Sequence, residues 1–77
     1  MNQKLLEILN STLSDIGTDP IAELDPNLNL ENDLDLDSIS KLEFVVKVKN
    51  ELGVDVQADG IVETLGEVMT ALNKKEV

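Results

Sequence analysis

The 77-residue chain contains no cysteine, histidine, arginine, tryptophan or tyrosine, and Phe44 is its one aromatic residue. Without cysteine there is no disulfide and no thiolate metal site, which fits residence in the cytoplasm. One aromatic ring cannot form a base-stacking platform for nucleic acid. The stretch MNQKLLEILN lacks the basic and long apolar regions of a signal peptide. No apolar run approaches the roughly 18 residues of a membrane span.

The charge is strongly acidic and unevenly distributed. Sixteen acidic residues against six lysines give a formal net charge of −10, and Lys4 is the only basic residue in positions 1–40. Such a surface repels nucleic acid and anionic membranes and suits basic protein partners, although acidity also serves solubility alone. The length and the 42 % hydrophobic content predict a single domain over residues 1–77 with a small core, which we expect to be monomeric.

The apolar pattern predicts an all-α fold: a small bundle of three to four helices with a long loop between the first and second helices. Apolar residues at helical spacing predict a first helix over about 3–15, ended by Gly17. The second helix is predicted over 38–52. Asp37 is its expected N-cap and Gly53 its C-terminal stop.

Between these helices lies GTDPIAELDPNLNLENDLDL, a mostly irregular connection. Loops of this length in small domains are usually functional or disordered. We predict order here, because four leucines are available to bind it to the core: Leu24, Leu28, Leu30 and Leu34. Farther along, VDV reads as a short extended piece and ADGIVE has room for one helical turn. Thr64 is then expected to cap a last helix over about 65–74.

The second helix carries apolar residues on two sides. Each residue advances about 100° around a helix, which gives a broad core face of Phe44, Val45, Val48 and Leu52. A second set lies on nearly the opposite side, and we call it the outer stripe: Ile39, Leu42 and Val46. This stripe either packs under the long loop or a short third helix, or serves as a partner-docking surface or the wall of an apolar cavity.

Ser38, at the start of this helix, invites three hypotheses. Catalysis by the serine itself needs a nearby base and an orienting group. Histidine is absent, and Lys41 is expected to be a solvated lysine that neighbouring carboxylates keep protonated. Nothing in the chain matches a G-x-S-x-G nucleophile elbow. The residues therefore argue against a self-contained enzyme.

A calcium loop is the second hypothesis. Asp33, Asp35 and Asp37 match the first half of the EF-hand pattern, but Ser38 stands where glycine is needed and Phe44 where the bidentate glutamate belongs. The pattern thus predicts no specific metal site, only loose binding of divalent ions. The third hypothesis makes Ser38 a substrate that another enzyme modifies. Asp37 would then orient the serine or help bind Mg²⁺ in that enzyme's site.

The run DLDLDSISKLEF resembles the signature of acyl carrier proteins, and the similarity extends over essentially the whole chain, through the long loop, ELGVDV and the closing helix. It implies that Ser38 carries 4′-phosphopantetheine, donated by coenzyme A through a phosphopantetheinyl transferase, and that Asp37 is the family's aspartate before that serine. Ile39 matches the family's leucine or isoleucine. The partner-reading positions on the helix correspond to Leu42, Glu43 and Val46.

The resemblance implies a non-enzymatic carrier that holds acyl groups as thioesters. Its expected partners are the transferase and acyl-transferring and acyl-chain-processing enzymes of fatty acid, lipid or polyketide-type biosynthesis, with basic docking patches. The alternative from another class is a small acidic interaction or calcium-responsive module without a prosthetic group.

The chain departs from the family pattern at three places. Asp35 stands where the family usually has glycine, so a glycine-dependent turn is expected to be altered. The usually acidic recognition helix carries three lysines, and docking charge is therefore expected from the loop acids Glu31, Asp33, Asp35 and Asp37. The segment between Val56 and Thr64 is short, which reduces the third helix to a turn. The lysines favour a specialised pathway over general fatty acid synthesis.

Overall fold

A computed structural model describes residues 2–57 and 60–76, which form three helices: α1 (Asn2–Asp15), α2 (Ser38–Leu52) and α3 (Leu65–Glu76). The predicted all-α fold is confirmed, with helix bounds close to those expected. Within the described ranges there is no β-strand, and an isolated antiparallel β-bridge joins Asn29 to Thr64. The described part of the ADGIVE stretch, residues 60–63, is not helical. The rest of that stretch, Ala58 and Asp59, lies outside the described residues.

Two glycines end the first two helices as the sequence predicts. Gly17 has a φ of 78° and Gly53 a φ of 72°, the left-handed conformation that glycine adopts without a steric penalty. The Thr18 N–H donates to the Leu13 carbonyl at 2.8 Å, which closes α1 in a Schellman motif. The chain can therefore leave each helix sharply and turn back over the bundle.

The core is aliphatic apart from Phe44 and draws on all three helices and the long loop. From α2 it takes Phe44, Val45 and Val48, as predicted, while Leu52 is half-buried. The other helices contribute Leu5, Ile8, Leu9, Leu13, Leu65, Val68 and Leu72. Burying one such side chain is worth about 1.5–3 kcal/mol. No helix in the described residues is both long and apolar enough to cross a membrane.

The long loop is held against the bundle by its leucines. Leu30 and Leu34 are buried, and Leu24 and Leu28 pack against the core at partial exposure, so the prediction that these residues bind the loop to the core is confirmed. Leu36 is also fully buried. Ordered leucines this close to Ser38 in the sequence place the start of α2 on a fixed support.

Backbone hydrogen bonds fasten the same loop to the start of α3. The Leu65 N–H donates to the Leu28 carbonyl at 2.9 Å, and the Gly66 N–H donates to the Pro26 carbonyl at 3.0 Å. A Cβ atom on Gly66 would lie 2.9 Å from that carbonyl oxygen, so the approach needs glycine. The long loop and the start of α3 are thus joined into one unit.

Thr64 caps α3, as predicted. Its hydroxyl accepts a hydrogen bond from the Glu67 N–H at 3.3 Å, and Glu67 Oε1 accepts one from the Thr64 N–H at 3.2 Å. This reciprocal pair is a capping box, which satisfies two backbone donors that the helix itself leaves open.

Candidate functional site: the serine at the start of helix α2

Ser38 is the first residue of α2 and its side chain is exposed. Asp37 precedes it as the N-cap, with extended backbone angles and a carboxylate that accepts the Ser40 N–H at 2.8 Å. That N–H lowers the pKa of the Asp37 carboxyl below its usual value, and the Ser40 hydroxyl and the Ile39 N–H add to the effect. The predicted cap is confirmed. It fixes the helix start so that the Ser38 hydroxyl faces solvent.

Asp35 adopts the conformation that glycine would favour. Its φ is 60°, in the left-handed region, and the leucines on either side of it, Leu34 and Leu36, are both buried. The Leu36 N–H donates to the Leu30 carbonyl at 3.0 Å and closes the turn. The positive φ that glycine favours is therefore adopted by aspartate at this position. Aspartate is among the few side chains that visit this conformation, at a cost of about 1–2 kcal/mol.

The loop acids are engaged in the fold more than the sequence suggests. Asp33 Oδ2 accepts the Asn29 N–H at 2.7 Å, Asp37 caps α2, and Glu31 forms an ion pair with Lys41. The described residues contain no group of three or more acidic side chains that could hold a metal ion. Two of the three aspartates that match half of a calcium loop thus bind backbone N–H groups instead. Asp35 remains an exposed acid beside Ser38.

The outer stripe lies on the protein surface. Ile39 is 80 % exposed, Leu42 56 % and Val46 47 %. The hypothesis that the long loop or a third helix covers this stripe is therefore wrong. Glu43 is exposed as well, so every residue predicted to read a partner is accessible. Because an α-helix has 3.6 residues per turn, the three stripe residues lie along one side of α2, starting next to Ser38.

The stripe lines neither of two grooves in the described part of the chain. One groove there has a volume of about 800 Å³ and runs between the C-terminal end of α2, the segment after it and α3. Its lining includes Lys49, Val56, Ile61 and Ala71, but neither Ser38 nor any stripe residue. The stripe is thus an open apolar surface, not a closed pocket.

The prediction that Lys41 is solvated is wrong. Lys41 is only 8 % exposed, and its Nζ lies 2.9 Å from Glu31 Oε1. Glu31, from which docking charge is expected, pairs with this lysine while its own side chain stays 54 % exposed. The sequence contains a signal for this burial. Around the helix axis, Lys41 lies between Phe44 and Val45, on the core side of α2. A lysine there packs its aliphatic stem and extends its ammonium group to the nearest acid.

A second α2 lysine is also paired. Lys47 Nζ lies 2.8 Å from Asp15 Oδ2 of α1. The recognition helix is consequently less basic on its surface than its three lysines suggest.

Comparison with known proteins identifies the family. The model for the phosphopantetheine attachment site matches residues 3–72, nearly the whole chain. The chain therefore belongs to the acyl carrier protein family, whose members carry 4′-phosphopantetheine covalently on a serine and are carriers, not catalysts. This membership argues against the alternative hypothesis of an interaction module without a prosthetic group.

Two relatives carry matching names. An acyl carrier protein of Thermobifida fusca (strain YX) is 28 % identical over 74 residues, which is 94 % of each chain. A meromycolate extension acyl carrier protein of Mycobacterium leprae (strain TN) is 32 % identical over 62 residues, 78 % of this chain and 53 % of that protein. No solved structure matches the chain significantly.

The start of α2 fits the family's prosthetic group chemically. Ser38 offers an exposed hydroxyl for a phosphodiester bond. The first N–H groups of a helix have no partner inside it and, with the helix dipole, favour a negative charge at this end. When bound, the arm supplies the terminal thiol that holds an acyl group as a thioester. The protein's own residues supply the anchor, the cap and the surrounding surface.

Proposed function

We propose that residues 1–77 form one acyl carrier domain whose 4′-phosphopantetheine arm is attached to Ser38. The observation that carries this proposal is the exposed hydroxyl of Ser38 at the capped start of α2, directly beside the outer stripe. Other serines lack this combination: Ser11 and Ser14 lie within α1, and Ser40 lies within the first turn of α2. The family match over 3–72 includes this position.

In the attachment reaction the carrier supplies the serine hydroxyl, and the transferase supplies the base. The Ser38 oxygen forms a bond to the phosphorus next to pantetheine in coenzyme A. The pyrophosphate bond breaks, the nucleotide leaves, and the hydroxyl proton passes to a base of the phosphopantetheinyl transferase. Asp37 keeps the serine at the first position of the helix, and its carboxylate is available to help bind the transferase's Mg²⁺. No histidine is needed in the carrier for any of these steps.

The outer stripe is the proposed docking surface. Ile39, Leu42 and Val46 offer apolar area that a partner groove can cover, and Glu43 gives a charge at its edge. The exposed carboxylates of Asp33 and Asp35 lie on the loop just before Ser38. Basic patches on partner enzymes would meet these acids and speed the encounter, while the apolar contact fixes the orientation. A tethered thioester then reaches each active site at a high local concentration.

The proposed cargo is an acyl intermediate of fatty acid, lipid or polyketide-type biosynthesis. The names of the two relatives support acyl chains as the cargo class. Glu43 is the acid at the edge of the stripe, and the other proposed docking acids, Asp33 and Asp35, lie on the loop before Ser38 rather than on the helix, which favours a specialised pathway. Residence in the cytoplasm and a monomeric state stay predictions from the sequence.

Intact-mass measurement tests the attachment. The protein is incubated with coenzyme A, Mg²⁺ and a broad-specificity phosphopantetheinyl transferase. The wild type should gain the mass of one phosphopantetheine, and Ser38→Ala should gain none. Ser40→Ala is the matched control, because it removes a hydroxyl from the same helical turn and should be modified like the wild type. A wild type that several transferases leave unmodified, or a Ser38→Ala variant that still gains the mass, would contradict the proposal.

A further inference from the structure

Lys41 is the only charged residue among the buried residues of the described chain. It lies one helical turn after Ser38 and faces the core, where the neighbouring positions are apolar. Taking an ammonium group out of water is unfavourable, and an apolar side chain of similar volume usually gives equal or greater stability. Stability alone therefore does not explain a lysine at this position. The ion pair is only partly buried, because the Glu31 side chain is 54 % exposed. The best-attested role of a charge pair taken out of water is to specify one arrangement among alternatives.

The partner of Lys41 lies on the other side of Ser38 in the sequence. Glu31 belongs to the long loop, so the 2.9 Å contact closes a ring of chain that contains Asp35, Asp37 and Ser38. Glu31 is itself anchored, because the Asn29 side chain accepts its backbone N–H at 3.0 Å. Asn29 in turn forms the bridge to the start of α3. The ion pair thus connects α2 to a part of the loop that is fixed to the rest of the bundle.

We infer that Glu31 and Lys41 form a positioning pair that holds the turn presenting Ser38 to the transferase. This inference rests on the proposed attachment at Ser38. The pair acts through the backbone between its members and touches no reacting atom. When it is broken, the turn samples other arrangements, and only a fraction of the molecules is ready to bind. Apparent affinity falls by that fraction, whereas the chemical step in the bound complex is unchanged.

Two single substitutions separate positioning from stability. Lys41→Met keeps the volume of the stem and leaves Glu31, which is half-exposed, in water. We expect its thermal midpoint to equal or exceed that of the wild type. Glu31→Gln leaves a buried ammonium group without its counter-charge, so its midpoint should fall. Both variants should raise the KM of phosphopantetheine transfer about fivefold and leave kcat within about twofold.

Lys47→Met is the matched control. It removes the other ion-paired lysine of α2, whose partner is Asp15 on α1, well away from the turn. Its KM should equal that of the wild type. The double variant Glu31→Gln/Lys41→Met should show the same KM as either single variant, because the two residues act as one unit. A wild-type KM in Lys41→Met, an equal rise in Lys47→Met, or additive rises in the double variant would overturn the inference.

Amide hydrogen exchange tests the pair without any transferase. The Leu36 N–H, which donates to the Leu30 carbonyl, reports on the turn inside the ring. Its exchange should become about fivefold faster in Lys41→Met and stay unchanged in Lys47→Met. Unchanged exchange in Lys41→Met overturns the positioning role whether or not Ser38 is modified. A wild type that no transferase modifies at Ser38 overturns the attachment proposal alone.

Discussion

Val45 and Val46 are adjacent valines on α2 with opposite surroundings. Val45 is 5 % exposed in the core, whereas Val46 is 47 % exposed on the outer stripe. Burial explains the first, since removing its surface from water stabilises the bundle. Val46 gains much less stabilisation from burial in the isolated protein, because about half of it remains exposed. The comparison separates a face of α2 that maintains the fold from a face whose apolar residues are explained by contact with another molecule.

The largest expected effect comes from placing the same charge on each face. Val45→Asp buries an unpaired carboxylate and should cost about 3–5 kcal/mol, enough to unfold much of a domain this small. Val46→Asp exposes its carboxylate to water and should change the free energy of unfolding by no more than about 0.5 kcal/mol. Urea titration followed by circular dichroism measures both. Equal destabilisation by the two variants would erase the distinction between the faces.

A charge on the outer stripe should impair transfer while the fold persists. Leu42→Asp puts a carboxylate in the middle of the proposed docking surface, and we expect kcat/KM for phosphopantetheine transfer to fall about tenfold. Gln3→Asp adds the same charge to an exposed position of α1 and serves as the control. Global unfolding of Leu42→Asp would mean that the stripe belongs to the core. Unimpaired transfer would remove it from the docking surface.

The turn before α2 should become more stable if its strain is removed. Asp35→Gly places glycine at a φ of 60° and should stabilise the protein by about 1 kcal/mol or less, because the gain is partly offset by the greater freedom of glycine in the unfolded chain. Asp33→Gly is the contrast: it relieves no left-handed residue and removes the acceptor of the Asn29 N–H, so it should destabilise the protein. Chemical denaturation compares the two. A destabilised Asp35→Gly variant would show that the carboxylate contributes more than the strain costs.

The smallest effect is the pH dependence of the Asp37 cap. Its pKa in the folded protein lies below the ordinary value of 3.8, so its carboxylate stabilises the folded state fully above that value. This stabilisation is lost as the pH falls through the folded pKa. Asp37→Asn keeps an N-cap acceptor without the titration. The difference in thermal midpoint between wild type and Asp37→Asn should shrink as the pH drops below 3.8, and a constant difference would contradict this account.

Local chemistry made most of the fold predictable from the sequence. The stops at Gly17 and Gly53 and the caps at Asp37 and Thr64 depend on a few neighbouring residues, and each is found where expected. The division of α2 into two faces follows from the helical repeat alone. The family resemblance then pointed to Ser38 as the expected attachment site within a run that composition alone leaves ambiguous.

Contacts between distant parts of the chain were not predictable in the same way. The pairing of Glu31 with Lys41 depends on how the long loop lies across α2, and the bridge from Asn29 to Thr64 depends on how it meets α3. No short pattern encodes either contact. The burial of Lys41 was predictable, because its helical angle places it on the core face. The prediction of a solvated lysine was wrong because it rested on the charge of the side chain alone.

The most direct test of the central claim is to locate the arm at residue resolution. After transfer, digestion after lysine yields a peptide over 5–41 that contains Ser11, Ser14, Ser38 and Ser40. Tandem mass spectrometry of that peptide should place the phosphopantetheine on Ser38 and on no other serine. An arm located on Ser40 or on a serine of α1 would contradict the assignment of the start of α2 as the attachment site.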